Sequence, residues 1–190
     1  EIRQNLASGV ATEPTHYPAL KRLLEELHSG ILVFPNPKHG PYGAPDFTVK
    51  RKGHAIDFLA GWVEAKDIDD DLDKVEKTDQ LKRYLRHPNL VLTDFLGFRW
   101  FVNGQKRLTA SLGTRKDKKI TLDPNGEARV GELLLGFLKQ PFSPAANPKQ
   151  LALQMSQLAH YIRDAVLKAF ETEPETGKFH RQFQAFRETL

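Results

Sequence analysis

Gly43-Ala44-Pro45-Asp46-Phe47-Thr48-Val49, a basic turn at Lys50-Arg51-Lys52-Gly53, and then Gly61-Trp62-Val63-Glu64-Ala65-Lys66 form the stretch on which the fold turns. Both flanking runs alternate polar and apolar residues, the period of a β-strand half-buried in a sheet. Side chains repeat every two residues on a strand, so Glu64 and Lys66 share one face and Ala65 points to the other. If the two runs lie side by side in one sheet, Asp46 converges on the face of Glu64 and Lys66. Two carboxylates and one ammonium then surround a single point.

Such a cluster implies a chemistry. Two carboxylates held together repel, so at least one pKa rises, and a divalent cation relieves the conflict. Hard oxygen ligands suit Mg²⁺ or Mn²⁺. A metal held there polarises a phosphoryl oxygen, helps to generate hydroxide and neutralises charge on the leaving oxygen. Lys66 adds a fixed positive charge for the attacking water or the crowded transition state. The expected reaction is metal-dependent cutting of a phosphodiester. Taken singly, a Glu-x-Lys triplet reads as a solvated strand face and Pro-Asp as a turn starter. The order of the motifs and their strand-like settings favour the site.

Pro45-Asp46 followed by Glu64-Ala65-Lys66 resembles the signature of the PD-(D/E)XK nuclease superfamily. Gln80-Leu81-Lys82-Arg83-Tyr84 is similar to the Gln-x-x-x-Tyr helix of some branches of that superfamily. The resemblance implies Asp46 and Glu64 as metal ligands and Lys66 as the catalytic cation. Gln80 and Tyr84, on one side of a helix, would support the site or touch the DNA backbone. A narrower resemblance rests on Glu13-Pro14-Thr15-His16-Tyr17-Pro18-Ala19-Leu20-Lys21, on the two motifs with Asp67, and on Leu158-Ala159-His160-Tyr161-Ile162-Arg163. Together these are similar to the amino-terminal part of large single-chain (type IIG) restriction-modification enzymes. In those proteins a nuclease domain is joined by a helical connector to an N6-adenine methyltransferase and a target-recognition region.

This second resemblance implies a nuclease domain over 1–142, a helical connector over 143–190, double-stranded DNA as partner and a bacterial cytoplasmic setting. Glu13 is the candidate acidic helper from the first helix, with Glu25 and Glu26 as rivals. Neither the cofactor-binding glycine motif nor the Asn/Asp-Pro-Pro-Tyr/Phe motif of such a methyltransferase occurs, so methylation is not expected of this chain. Two alternatives stand beside this reading. One is a repair or recombination nuclease for branched or damaged DNA, and the other is a catalytically silent DNA-binding or assembly module.

Composition sets bounds on these readings. The 190 residues include no cysteine, which excludes disulfides and thiolate metal sites. No apolar run has the length of a membrane span and no signal-peptide pattern opens the chain. It begins at Glu1 and stops at Leu190 within a helical pattern, so a piece of a longer protein is expected. The net charge of +4 and a pI near 9.2 favour a polyanion. Lys50, Arg51, Lys52 and His54 cluster between the two site strands, and Lys82, Arg83 and Arg86 ride the next helix. Of these, Lys50, Arg51, Lys52, Lys82 and Arg83 are the candidate DNA contacts. A late run of Arg115, Lys116, Lys118 and Lys119 reads equally as solvated surface.

Periodicity fills in the rest. Leu20, Leu23, Leu24 and Leu27 define a helix over 15–27 that Gly30 stops. Ile31 to Phe34 is a short apolar run leading into the sheet. The acidic stretch from Asp67 to Asp73 is not an EF-hand, since Lys74 stands where its glycine belongs and Gln80 where its last glutamate belongs. A helix is predicted over 75–85, strands over 89–95, 98–102 and 106–111, a turn at Asp123-Pro124-Asn125-Gly126 and a helix over 130–138. A long amphipathic helix over 148–170 carries Leu151, Met155, Leu158, Ile162, Ala165, Val166 and Phe170. A further helix carries Phe179, Phe183 and Phe186. The expected fold is α/β, a restriction-endonuclease-like core with a mixed central sheet flanked by helices, plus a C-terminal helical segment.

Overall fold

The computed structural model describes residues 2, 11–38, 40, 42–53, 57–68, 70–116, 119–141, 152, 155, 156, 159, 162, 163, 166, 167, 172, 174 and 177–188, without the side chains of 179, 183, 186 and 187. The chain divides into two compact units. One comprises Glu1–Gly53 and Asp57–Ser143, the other His54–Ile56 and Pro144–Leu190.

The first unit is built on a six-stranded sheet. A 3-10 turn at Glu13–His16 leads into helix α1 (Tyr17–Leu27), followed by β1 (Ile31–Pro35), β2 (Phe47–Arg51) and β3 (Phe58–Ala65). Two short helices, α2 (Leu72–Val75) and α3 (Asp79–Tyr84), precede β4 (Asn89–Thr93), β5 (Gly97–Val102) and β6 (Gln105–Ser111). The strands lie in chain order. All neighbours are antiparallel except β3 and β4, which run parallel. A parallel pair needs a crossover connection, and α2 and α3 supply it. The mixed α/β sheet anticipated from the sequence is therefore present.

The two sheet faces carry different loads. On one, Leu20 and Leu24 of α1 and Val130, Leu133, Leu134, Phe137 and Leu138 of helix α4 (Gly126–Lys139) pack on Val33, Phe47, Val49, Val63, Ala65 and Val91. On the other, Leu72, Leu81 and Tyr84 pack on Leu90, Leu92 and Phe101. Gly61 lies where α4 crosses β3, and an added Cβ would stand 2.5 Å from the Phe137 ring and 2.8 Å from the Asn89 carbonyl. Only glycine allows that approach. Asn89 secures the same crossing by donating to the carbonyls of Ala60 (2.6 Å) and Phe137 (3.0 Å) while accepting from Trp100 Nε1 (2.7 Å).

Several local expectations change. Lys50 and Arg51 belong to β2 and not to the turn, and β3 begins at Phe58, because pairing with β1 and β3 extends through both basic residues past an irregularity at Val49/Lys50. The helix predicted over 75–85 is two helices. Asp71 caps α2 at the Asp73 amide (2.9 Å) and Thr78 caps α3 at the Leu81 amide (3.2 Å), so the side chains start each helix separately. The late basic run forms part of a hairpin, β7 (Gly113–Lys116) with β8 (Lys119–Leu122), while residues 117 and 118 lie outside the described residues.

In the second unit, helix α5 (Lys178–Glu188) is described, though the side chains of Phe179, Phe183 and Phe186 lie outside the description. Of the stripe predicted over 148–170, Met155, Ile162 and Val166 are helical, and Leu151, Leu158, Ala165 and Phe170 lie outside the described residues. Met155 and Ile162 are exposed. No helix among the described residues is long and apolar enough to cross a membrane.

Candidate active site

Phe47 pairs with Val63 across the β2–β3 ladder, which brings the preceding residue, Asp46, level with Glu64. The loop before Asp46 is closed at its base by Asn36 N–H donating to the Asp46 carbonyl (2.8 Å). Asp46 Oδ2 accepts the Ala65 amide at 2.8 Å, so its carboxylate is held against the end of β3. The strand period places Ala65 in the core, wholly buried, and turns Glu64 to the opposite face.

Glu64 is 2% exposed. Its Oε1 accepts from Lys66 Nζ at 2.6 Å and from Gln80 Nε2 at 3.2 Å. Its Oε2 is buried with no hydrogen-bond partner. Lys66 lies just past β3, where its amide donates to the Thr93 carbonyl (2.8 Å) and prolongs the pairing with β4. Gln80 also donates to the Tyr84 hydroxyl (3.3 Å), which donates to the Ala44 carbonyl (3.1 Å). A hydrogen-bonded chain thus runs from Glu64 through α3 to the loop carrying Asp46. Gly43 in that loop has φ +105 and sits under the Tyr84 ring, where a Cβ would meet Cε1 at 2.7 Å.

The electrostatics follow from burial. Burial, and then the charge of Asp46, push the Glu64 carboxyl up to about 7 in spite of the Lys66 ammonium beside it. Burial works against the charge of Lys66, but the hydrogen bond and charge of Glu64, with Asp46 and Glu13, raise its pKa. Glu13 is raised chiefly by burial, against the hydrogen bond it accepts from the Tyr17 hydroxyl at 2.5 Å. The fields of Asp46 and Lys66 act on it too. Of the three rivals for the helper role, Glu13 is therefore the one beside the site. Glu25 accepts from Lys21 (2.5 Å) and the Val33 amide (3.0 Å), and Glu26 is exposed on the helix.

Tyr17 was not singled out from the sequence. Its place four residues after Glu13, across the junction of the 3-10 turn and α1, is the signal that could have found it.

The residues fit a hard divalent cation. An unpaired, buried carboxylate oxygen next to a second carboxylate is costly without a counter-charge. Among the described residues no group of three or more His, Cys, Asp or Glu stands ready to hold a metal. The donor set is instead two carboxylates, and ions such as Mg²⁺ usually complete their shell with water and substrate oxygens.

The basic candidates divide. Lys50 lies over the Phe34 ring, 5.4 Å from its centroid, and Lys52 and Arg83 are exposed. Lys82 pairs with Asp79 at 3.0 Å. Arg51 falls opposite Ile31 on the core side of β2 and donates to the Leu138 carbonyl at the end of α4. His54 lies outside the described residues.

The strand order, the parallel β3–β4 pair and the flanking helices define a restriction-endonuclease-like α/β core. No family model matches the chain, and no curated protein matches it. Among solved structures, the fold is similar to a chain of the DrdV–DNA complex determined by cryo-electron microscopy. The TM-score is 0.55 and the identity 21%, over 74% of this chain and 91% of that one.

Proposed function

We propose that the chain carries a metal-dependent DNA endonuclease domain of a restriction-modification enzyme, hydrolysing phosphodiester bonds of double-stranded DNA with Mg²⁺ or Mn²⁺. The observation that carries this reading is the buried, unpartnered Oε2 of Glu64, level with Asp46 and with the Lys66 ammonium at 2.6 Å from the other oxygen. Asp46 and Glu64 would hold the ion, which supplies a polarised water and neutralises phosphoryl charge when bound. Lys66 is charged at neutral pH and offers donors to an attacking water or to phosphoryl oxygens. Gln80 orients Glu64, and Tyr84 ties that contact to the Asp46 loop. The fold neighbour is a protein in complex with DNA, and the net charge of +4 suits the same kind of polyanion.

Lys50, Lys52, Lys82 and Arg83 are the basic side chains that would meet phosphates near the site. Arg51 acts structurally through its bond to Leu138. Residues 1–142 form the nuclease domain in this reading. Residues 143–190 form a helical connector toward a methyltransferase and target-recognition region in a longer bacterial cytoplasmic protein.

The test is cleavage of duplex DNA with Mg²⁺ by the full-length protein. Asp46→Ala and Lys66→Ala should each slow cutting by about 10²–10³-fold or more. Undiminished cleavage by either variant rules the assignment out.

A further inference from the structure

We infer that His87 is a positioning residue of this site, the hub on which the loop carrying Asp46 is seated against the strand carrying Glu64. This deepens the nuclease reading and rests on it. His87 follows α3, its amide donating to the Tyr84 carbonyl at 2.9 Å, and its side chain is buried. Three aromatic rings meet its imidazole: Trp62 with centroids 4.0 Å apart, Tyr42 edge-on at 5.4 Å and Tyr84 at 6.3 Å. Each ring comes from a segment that supplies the site. Trp62 precedes Glu64 by two residues on β3 and so shares its face. Tyr84 accepts from Gln80 and donates to the Ala44 carbonyl. Tyr42 stands in the loop that ends at Asp46, where Gly40 and Gly43 on either side of it exchange backbone hydrogen bonds of 2.9 and 3.1 Å.

Edge-to-face ring pairs are directional, so an imidazole fixed by Trp62 and by the end of α3 sets where Tyr42 can sit. The Arg86 guanidinium lies over the same Tyr42 ring, 5.9 Å from its centroid, and gives the loop a second hold. A metal-binding carboxylate depends on such outer contacts for its placement. The imidazole does this against its own solvation. Its Nε2 is buried with no hydrogen-bond partner, and burial pushes its pKa down to about 4, which keeps the ring neutral at physiological pH. A local cost of this kind is the mark of a functional position more than of a core chosen for stability.

The experiment uses the full-length protein and compares wild type, His87→Ala, Tyr42→Ala, the double variant and His87→Phe. It records Mn²⁺ binding by calorimetry and single-turnover cleavage of duplex DNA with Mg²⁺. In the metal-free protein it also records hydrogen exchange at the Asn36 and Ala65 amides, both of which donate to Asp46. His87→Ala should speed exchange at these two amides about tenfold, while Leu133, wholly buried in α4, keeps its protection. Mn²⁺ affinity and cleavage rate should fall by about 10-fold or more. Tyr42→Ala should do the same and the double variant little more, since both act through one contact. His87→Phe keeps a flat ring and should restore all three readouts. Unchanged exchange and Mn²⁺ affinity in His87→Ala would overturn the role of His87 and leave the nuclease standing. Faster exchange at Leu133 as well would make His87 a packing residue and also overturn it. Additive losses in the double variant, or no recovery in His87→Phe, would overturn it too. A wild type that neither binds Mn²⁺ nor cuts would overturn the nuclease reading, and exchange at Asn36 and Ala65 would still decide whether His87 seats the loop.

Discussion

Asn89 and Glu64 sit on adjacent parallel strands, 4% and 2% exposed, and the sheet treats them in opposite ways. Asn89 donates twice and accepts once, joining β3, β5 and α4. Glu64 has one oxygen shared by Lys66 and Gln80 and the other with no partner. A buried amide with its partners in place specifies a crossing of helix and sheet. A buried carboxylate with an open oxygen and a second acid alongside raises the energy of the native state, which is the pattern expected where a ligand completes the structure.

The sharpest way to break the comparison is to unfold it from the Asn89 side. Asn89→Ala removes the donors that the Ala60 and Phe137 carbonyls take from the side chain and leaves the Trp100 N–H without its partner. It should cost about 2–4 kcal/mol in urea unfolding. A loss near zero would mean that the amide is dispensable and that satisfied and unsatisfied buried groups are not distinguished here.

Glu64 should respond with the opposite sign. Its folded pKa near 7 lies above the ordinary 4.5, so between those values the native state binds more protons than the unfolded chain. Stability of the metal-free protein then falls as pH rises through that window. Glu64→Gln removes the ionisation, and the upward shift persists with Lys66 beside it, so the substitution relieves a net cost. At pH 8 without metal its thermal midpoint should exceed the wild type by about 2–4 °C. The gain should vanish below pH 5. A variant that is less stable at pH 8 would show that the Lys66 pair outweighs the strain.

Much of this contrast was legible in the sequence, and the reasons are local. Strand parity alone sets Glu64 and Lys66 on one face and Ala65 on the other, and Pro45-Asp46 opening an alternating run places the second acid at a strand end. The parts that were not legible depend on register and on tertiary neighbours. Arg51 reads as a turn residue in a basic cluster, but pairing opposite Ile31 carries it to the core side, where the free carbonyl at the end of α4 takes it. Thr78 sits inside a helical pattern and instead begins a new helix by capping Leu81. The hairpin around residues 113–122 hides behind its own charge, since a basic run reads as solvated surface whether or not it pairs. The four-residue spacing carries the contact of Tyr17 with Glu13, whereas the packing of its ring on Phe47 joins two segments that no spacing reveals.

The most direct measurement is the thermal midpoint of the full-length protein at pH 8 as Mg²⁺ is added, for wild type and Glu64→Gln side by side. A ligand that binds only the native state stabilises it, so the wild type should rise by about 2–4 °C once Mg²⁺ exceeds its dissociation constant several-fold. Glu64→Gln, which starts higher, should stay where it is. A wild type that ignores Mg²⁺, or a variant that rises in parallel with it, would contradict the claim that the open oxygen of Glu64 belongs to a metal.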